Sequence, residues 1–544
     1  MDVQDIFDEF SYGMTTPVAI KDFLAYAYEN WTAPAPQYVL LVGDAIYDFH
    51  DRWGTGKTNH VPAYLTYTRY MGETATDEWY VTVSGADAMP DLYIGRLPAA
   101  TAELAGVMVD KIIAYEDALN TKTWEKDVLL VADDQTEVWE TVFETMNNDA
   151  AALIPLSMNT PFEGYLRVYE QEGWDLNAEL VDAIDAGALM VNYSGHGSFS
   201  TWANEQIFTN ADATALDNPG RLPFFVSMSC LTGYFVNTQW WDTTPLVEPL
   251  MEAVNKGAVA AFMPTGMTTT EGQHILNSAL FEEIFTNDKR QLGEAIARAK
   301  MTLLANGDAY YEEISRTFLL FGDPATQLKV PVPRRVAGLT AAADAQYNVA
   351  VSWQAAFDAD GAAVAGYHVY RKTAADAGYS RITAQPVSGT AYTDEAVSLG
   401  TRYYYVVRSV DVDGLESVDS ESVSVVVPVP TASLVGSGSG GGGGGGCFIS
   451  TAQEAYNQNI MNGLAFLGLV VLLWQLITRI KARKSGRRRS YSLRGPNSAF
   501  DEVTTEFELP VMTQQDNPDD TGIGGPAGKE REVTDLTEEP PVTV

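Results

Sequence analysis

The chain has 544 residues, of which 34 are basic and 72 acidic, and its formal net charge at pH 7 is −38. A protein this acidic lacks a general basic face for a polyanion, which argues against binding of nucleic acid by the folded part. Because 46% of the residues are apolar, the chain can build full hydrophobic cores, and its length indicates several domains. Its two cysteines, Cys230 and Cys447, have very different surroundings, which argues against a disulfide framework.

Two apolar runs lead into residues that can do chemistry. The runs Ala188–Tyr193 and Leu222–Ser229 are largely apolar, a pattern typical of central parallel strands covered on both faces. The first run leads into His196, and the second leads into Cys230. Because the carboxyl ends of parallel strands face one crevice, we expect these two side chains to share it. A thiol and an imidazole in one crevice indicate a nucleophile and its base.

Each of these residues alone has a more ordinary explanation. A cysteine at a strand end is more often a buried small apolar side chain, and a lone histidine is more often structural. Their joint occurrence at equivalent strand ends favours catalysis. Gly195 and Gly197 flank the histidine, and they allow a tight turn that brings a bare N–H close to a substrate.

The segments around the two residues resemble the gingipain-type cysteine peptidases, family C25 of the caspase-like clan. The resemblance rests on Tyr193–Ser198 with Trp202, and on Leu222–Phe225 followed by Ser229–Phe235. Three further segments are similar to the first strands and the closing segment of the family: Tyr38–Asp44, Asp91–Pro98 and Phe318–Pro324. The resemblance implies that residues 1–330 form an α/β domain with a caspase-like, mainly parallel sheet flanked by helices.

The resemblance also implies the roles of individual residues. Cys230 would attack the scissile carbonyl, and His196 would manage the proton of the thiol and then of the leaving amine. The backbone N–H groups of Gly197 and Cys230 would hold the oxyanion. A long separation of thiol and imidazole before substrate arrives would not count against this assignment.

Members of the family have an acidic residue behind the histidine, in the loop after an earlier strand. Here that strand should be Val128–Ala132, and the loop that follows it contains three acidic residues. We favour Asp133 as the acid that orients the histidine, with Asp134 and Glu137 as rivals, because the spacing in this loop varies. Asp133 and Asp134 could instead cap a predicted helix, Glu137–Leu153.

The remaining motifs do not indicate a required cofactor. No CxxC or HExxH pattern occurs, and three histidines have no spacing that suggests a zinc site: His50, His60 and His274. A Gly-Lys-Thr sequence at 56–58 lacks the upstream glycine of a phosphate loop. Asp44 and Asp48 could line the crevice or bind calcium, and Asp358–Gly361 could bind calcium, but aspartate is common in turns for local hydrogen-bonding reasons. The sequence thus requires no cofactor and is compatible with a structural calcium ion.

The second half of the chain changes character several times. We expect a sandwich similar to fibronectin type III or immunoglobulin domains over 331–429, because strand-like alternation there is interrupted by turn-rich stretches. The segments that follow are a flexible Ser/Gly linker at 430–446, a Cys-Phe-Ile segment at 447–458, a transmembrane helix at 459–480, and a basic flank with a disordered acidic tail at 481–544.

The predicted membrane span also predicts the location of the protein. Residues 460–478 carry no charge over 19 positions, which is just enough to cross the hydrocarbon of a bilayer. Seven basic residues follow between 479 and 489 and indicate the cytoplasmic side. The peptidase region should therefore lie in the cell envelope, outside the cytoplasm. Because the N-terminus has no signal-peptide pattern, we expect an N-terminally incomplete version of a longer precursor.

The order of glycine tract, Cys447 motif, apolar span and basic cluster resembles bacterial C-terminal sorting signals. In that interpretation Cys447 is a cleavage or modification site and sorting machinery is a partner. A plain membrane anchor is the alternative, because the tail after the basic cluster is longer than such signals have.

The sequence thus predicts a membrane-tethered cysteine endopeptidase that acts on protein or peptide substrates through an acyl-enzyme. One alternative is a sorting transpeptidase of the same family that attaches surface proteins. Another is a catalytically inactive adhesion protein, against which the intact His196 and Cys230 argue. The primary specificity stays unassigned, although Trp240, Trp241 and Thr265–Met267 could line a pocket.

Overall fold

The computed structural model describes residues 1–85, 87–134, 140–236 and 244–430. Several predicted features lie outside these described residues: Glu137, Trp240, Trp241, Cys447, the Ser/Gly linker apart from its first residue, the membrane span at 459–480 and the acidic tail. Within the residues that are described, no helix has the length and apolar character needed to cross a membrane.

Residues 1–330 form an α/β domain. Its strands are β1 (Tyr38–Val42), β2 (Tyr64–Thr68), β3 (Gly72–Thr76), β4 (Tyr93–Leu97), β5 (Asp127–Ala132), β6 (Asn159–Tyr165), β7 (Met190–Ser194), β8 (Thr201–Trp202), β9 (Phe208–Thr209), β10 (Phe224–Met228), β11 (Ala260–Pro264) and β12 (Phe318–Phe321). Its helices are α1 (Val3–Ser11), α2 (Pro17–Asn30), α3 (Ala102–Asp117), α4 (Thr141–Ala151), α5 (Leu166–Glu172), α6 (Leu176–Ala186), α7 (Asn210–Ala215), α8 (Val247–Glu252), α9 (Thr270–Phe281), α10 (Leu292–Ala305) and α11 (Ala309–Thr317).

Eight strands of the described residues make one sheet, in the order β1-β4-β12-β11-β10-β7-β5-β6. Neighbouring strands are parallel except β11 and β12, which are antiparallel. The sheet is therefore mainly parallel, as predicted. However, the reversal at β11 and β12 makes β1, β4 and β12 run opposite to the other five strands. Asp44, two residues after β1, consequently lies at the other end of the sheet from Cys230, so it does not line the crevice there, the less favoured of the roles considered for it.

The centre of the sheet is buried on both faces. Every residue of β7, β10 and β11 is buried, and so is β5 after its first residue. This burial explains the continuous apolar runs, because a strand covered by helices on both faces has no solvent-facing positions. Strand β10 begins at Phe224 and not at the predicted Leu222, directly after Pro223, which has no N–H to give to a ladder.

A β-sandwich follows the α/β domain, as predicted. Its strands are β13 (Thr340–Ala343), β14 (Val349–Ser352), β15 (Gly366–Thr373), β16 (Ser380–Arg381), β17 (Ala391–Asp394), β18 (Arg402–Val410) and β19 (Val423–Val426). Within the described range 244–430 they form one sheet of β13-β14-β17 and another of β16-β15-β18-β19. Both sheets contribute to one core, in which Trp353 packs edge-on against Tyr367.

The sandwich is fastened to the α/β domain by polar contacts. Lys122, just before β5, lies 2.7 Å from a carboxylate oxygen of Asp411 and 2.8 Å from one of Asp413. The main-chain N–H of Asn120 donates to the carboxylate of Asp360 at 2.9 Å. These contacts hold the sandwich against the region that leads into the central strands.

Candidate active site

Strands β7 and β10 bring the two predicted catalytic residues to one edge of the sheet. The two strands are adjacent and parallel, with Ser194 opposite Met228. The N–H of Gly195 donates to the carbonyl oxygen of Met228 at 3.2 Å, so the pairing continues just beyond the strand ends. His196 and Cys230 each come two residues after the end of their strand and therefore lie at the same edge.

Gly197 makes this close approach of the two segments possible. A Cβ atom on Gly197 would lie 2.7 Å from the carbonyl oxygen of Cys230 and 2.8 Å from the Cβ and Oγ atoms of Ser229. Real Cβ atoms do not approach backbone oxygen this closely, so any side chain at this position would push the two segments apart. The glycine after the histidine is thus explained by contact with the cysteine segment.

The thiol of Cys230 is partly buried and faces the main chain of Thr268, in the loop after β11. Its Sγ atom lies 3.7 Å from the carbonyl oxygen of Thr268 and accepts from the N–H of the same residue at 3.5 Å. Burial raises the pKa of the thiol above its ordinary value, while the N–H of Thr268 acts in the opposite direction. The protonated thiol is therefore the resting form at neutral pH, and attack requires a base.

The imidazole of His196 is half exposed and held from behind. Its Nε2 atom lies 2.8 Å from Oε1 of Glu140, a residue that is only 3% exposed. The ring also packs edge-on against Phe143 of α4, with 5.4 Å between ring centroids. A carboxylate on Nε2 favours the proton on that nitrogen and stabilises the imidazolium.

Asp133 reaches the histidine in a different way from the one expected. Its Oδ2 accepts the main-chain N–H of His196 at 2.9 Å, and its Oδ1 accepts the N–H of Asp134 at 2.9 Å. The sequence prediction placed Asp133 behind the ring. In the structure Asp133 fixes the backbone of His196, and Glu140 takes the position behind the ring. Burial raises the pKa of Asp133 to about 6, against the effect of the N–H bond from His196.

Two backbone N–H groups are available beside the thiol. Gly197 pairs with Trp202 in a short antiparallel bridge whose hydrogen bonds run through the flanking residues. The N–H of Ser198 donates to the carbonyl oxygen of Thr201, and the N–H of Ala203 donates to that of His196, both at 2.9 Å. Among the described residues, the N–H groups of Gly197 and Cys230 have no hydrogen-bond partner.

The segment Thr265–Met267, a candidate pocket wall in the sequence, lies beside the nucleophile segment. The carbonyl oxygen of Gly266 accepts the N–H of Leu231 at 3.1 Å. Leu231 directly follows the cysteine and has φ +65°, a left-handed conformation that is unfavourable for leucine. The side chain of Met267 is 45% exposed. The pairing with Gly266 helps to hold this strained residue in place.

Acidic side chains gather near the histidine, but their oxygens are partly occupied. Asp133, Asp134 and Glu205 can each offer one carboxylate oxygen within 4.8 Å of the others. Both oxygens of Asp133 already accept main-chain N–H groups, so few lone pairs remain for a calcium ion.

The other acidic residues considered for calcium fill local roles. Asp44 accepts the N–H of Ala45, and burial raises its pKa to about 7. Asp48 accepts the N–H of Trp53 at 2.8 Å. Asp358 accepts two N–H groups within its own turn, at 2.8 and 3.0 Å. These are the local contacts expected of aspartates in turns, the interpretation that the sequence analysis favoured over a metal site.

Comparison with known proteins identifies the relatives of this chain. The model of peptidase family C25 matches residues 1–329. The chain is 24% identical over 351 residues to Gingipain R1 of Porphyromonas gingivalis, which covers 63% of this chain and 33% of that protein. It is 24% identical over 323 residues to Gingipain R2 of the same species, covering 58% and 41%. Lys-gingipain W83 of that species is 27% identical over 237 residues, covering 42% and 12%. The chain thus spans well under half the length of these curated relatives.

Solved structures give matches to both folded parts. The crystal structure of the Arg-specific cysteine proteinase gingipain R matches 78% of this chain and 94% of its own, at 22% identity and a TM-score of 0.48. The structure of an Fn3-like protein from Clostridium thermocellum matches 18% of this chain and 98% of its own, at 31% identity and a TM-score of 0.16.

Proposed function

The chain belongs to peptidase family C25, and from this premise we propose that it is a cysteine endopeptidase that hydrolyses peptide bonds in protein substrates. The observation that carries the proposal is that a thiol and an imidazole follow the ends of two adjacent parallel strands, and that a buried carboxylate contacts the imidazole. Cys230 is the nucleophile, His196 moves protons, and Glu140 stabilises the charged imidazole through its contact at 2.8 Å.

The arrangement accounts for each proton in the reaction. The Sγ atom of Cys230 attacks the carbonyl carbon, and the thiol proton passes to the imidazole of His196. The substrate oxygen takes up the negative charge and receives the N–H groups of Gly197 and Cys230. When the C–N bond breaks, His196 gives its proton to the leaving amine and a thioester remains. Water then attacks the thioester, the imidazole takes a proton from it, and release of the acid returns the proton to the thiol.

The nucleophile can be tested on the full chain by intact-protein mass spectrometry. The protein would be exposed to peptidyl acyloxymethyl ketones with Arg, Lys, Asp or Leu at the first position. We expect one covalent adduct with at least one of these compounds, and none with Cys230→Ala. The reactive compound would also identify the primary specificity. Equal labelling of the Cys230→Ala variant, or no labelling of a folded wild-type protein, would contradict the proposal.

Hydrolysis and transpeptidation share the same acyl-enzyme and differ in the acceptor that resolves it. A sorting transpeptidase would resolve the thioester with an amine, and the half-exposed imidazole of His196 can deprotonate either acceptor. Peptide cleavage with and without a millimolar oligoglycine acceptor separates the two activities. Hydrolysis gives the free acid in both cases, whereas transpeptidation gives the glycine conjugate when the acceptor is present.

We also propose that the protein is exported and tethered to a membrane through residues 459–480. This rests on the uncharged run and the basic residues that follow it in the sequence. Expression of the full chain, followed by carbonate extraction and external protease treatment of intact cells, provides the test. A tethered protein should stay with the membrane and lose its peptidase part to the external protease. A protein released by carbonate would contradict the tether.

A further inference from the structure

The carbonyl group of Ser229, directly before the nucleophile, is held by two donors. The hydroxyl of Thr268 donates to it at 2.8 Å, and the Nε2 group of Gln273 donates to it at 2.7 Å. The same Nε2 group also donates to the hydroxyl of Thr268 at 2.7 Å, so the three groups form a closed set. Gln273 lies in the first turn of α9 and is only 2% exposed.

This carbonyl belongs to the same peptide unit as the N–H of Cys230. A peptide unit is planar and trans, so its C=O and N–H bonds point in opposite directions. Two donors that fix the carbonyl of Ser229 therefore also fix the direction of the N–H of Cys230. Hydrogen bonds accepted by a carbonyl also polarise the peptide unit, which makes its N–H a stronger donor.

We propose that Thr268 and Gln273 are positioning residues that aim and polarise the N–H of Cys230 toward the oxyanion of the substrate. The inference rests on the proposed peptidase function and extends it to two residues outside the group of thiol, imidazole and carboxylate. Neither residue touches the substrate oxygen. Both act through the peptide unit between Ser229 and Cys230.

Two features distinguish this arrangement from the hydrogen bonding that any buried carbonyl group needs. One donor is enough to offset the burial of a carbonyl, yet this one receives two that are themselves connected. In addition, Thr268 faces the sulfur atom, since its main-chain N–H lies 3.5 Å from Sγ of Cys230. One residue thus contacts both the reacting atom of the nucleophile and the peptide unit that carries its N–H.

The two side chains can be altered without removing the main-chain contacts to the sulfur. Thr268→Val keeps the shape of the side chain and removes the hydroxyl. Gln273→Met keeps a similar length and removes both N–H donors. Loss of an oxyanion donor lowers kcat by roughly 100- to 1,000-fold, and a misaimed donor should cost less, so we expect about a 10-fold fall in kcat for each variant. KM should change by less than about twofold, because the interaction acts in the transition state.

The double variant gives an independent check that Thr268 and Gln273 act through the same peptide unit. Both side chains act through one peptide unit, so their effects should not add. We expect kcat of the double variant, Thr268→Val with Gln273→Met, to be only slightly lower than kcat of the less active single variant. A product of the two separate losses would show that they act through different groups.

The deciding measurement compares two reactions of the same thiol in the full chain. A peptide aldehyde forms a thiohemiacetal, in which Sγ of Cys230 bonds to carbon, the C=O double bond becomes single, the thiol proton passes by way of His196 to the former carbonyl oxygen, and that oxygen lies where the oxyanion develops. Iodoacetamide forms a C–S bond and releases iodide, the thiol proton goes to the buffer, and no oxyanion develops. We expect Ki for the aldehyde to rise about 10-fold in Thr268→Val and Gln273→Met, as kcat falls. The rate of alkylation should stay within about twofold of the wild-type rate.

Conservative variants complete the test, and the unfolding temperature of each variant shows whether it is folded. Thr268→Ser keeps a hydroxyl and should restore most of the aldehyde affinity lost in Thr268→Val. Thr268→Ala replaces the valine variant if the latter does not fold. Wild-type kcat in both single variants would overturn the inference, and so would an equal loss of alkylation and aldehyde binding. If the wild-type protein neither cleaves peptides nor binds aldehydes, the proposed function itself fails and the inference falls with it.

Discussion

Replacement of Glu140 by glutamine tests whether the contact between its carboxylate and the imidazole of His196 contributes to catalysis. The carboxylate of Glu140 is 3% exposed and lies 2.8 Å from Nε2 of His196. Glu140→Gln keeps the size of the side chain and an oxygen that can accept the Nε2 proton. It removes the negative charge that stabilises the imidazolium formed when the thiol is deprotonated.

The expected loss follows from the difference between a charged and a neutral hydrogen bond. Bonds to charged groups contribute about 1.5–3 kcal/mol and neutral ones about 0.5–1.5 kcal/mol, which leaves a difference of about 1–2 kcal/mol. At about 1.4 kcal/mol for each tenfold change in rate, kcat should fall about 5- to 30-fold. The imidazole is 51% exposed, so water shares in stabilising its charge and keeps the loss from being larger.

The assay is steady-state cleavage of a fluorogenic peptide that carries the preferred first residue. Asp134→Asn is the matched control, because it removes one negative charge from the same region and Asp134 has no described hydrogen bond to the imidazole. We expect kcat of this control to stay within about twofold of wild type. Equal losses in Glu140→Gln and Asp134→Asn would show that the general field matters and not the contact. Wild-type kcat in Glu140→Gln would refute the reasoning altogether.

Three further predictions address the glycine, the loop acid and the sandwich. Gly197→Ala would place its Cβ 2.7 Å from the carbonyl oxygen of Cys230, so kcat/KM in the same peptide assay should fall about 100-fold or more. Asp133 has a folded-state pKa of about 6, above its ordinary value of 3.8, so its contribution to the unfolding free energy should fall by on the order of 2–3 kcal/mol as pH rises from about 4 to 6. Denaturant unfolding across this range should show a fall that is smaller in Asp133→Asn than in wild type by this amount, because other buried carboxyls such as Asp44 also titrate above their ordinary pKa. Lys122→Met leaves the buried carboxylate of Asp411 without its cation. Limited proteolysis between the α/β domain and the sandwich should therefore become faster, while kcat stays the same. Adding Asp411→Asn to this variant should restore the resistance to proteolysis.

The sequence was sufficient to predict the strands that carry the chemistry. Buried parallel strands have apolar runs on both faces, and the residues after them are conspicuous because they interrupt that pattern. His196 and Cys230 could be found for this reason, and the structure places both at one edge of the sheet. The sandwich could be predicted as well, because exposed turns separate its alternating strands.

The acid behind the imidazole could not be predicted, because its identity depends on how the loop after β5 travels. Asp133 is close in sequence to the strand end, and its carboxylate turns to the backbone of His196. Glu140, seven residues further on at the start of α4, reaches the ring. The end of the sheet at which Asp44 lies could not be predicted either, since it depends on the antiparallel pairing of β11 with β12. Neither periodicity nor composition records the direction of a strand.

The protonation of the thiol connects these features of the site. Burial raises the pKa of Cys230, so a permanent thiolate is not the reactive form at neutral pH. The proton must then leave as the sulfur attacks. The reaction therefore requires an imidazole that accepts this proton and N–H groups that stabilise the negative charge on the substrate oxygen. A small alkylating agent develops no oxyanion and gains nothing from the N–H groups, whereas a peptide carbonyl in the crevice benefits from both the imidazole and the N–H groups. In the proposed peptidase, selectivity for peptide substrates would therefore come from coupling proton transfer to oxyanion formation, and not from a thiol that is reactive by itself.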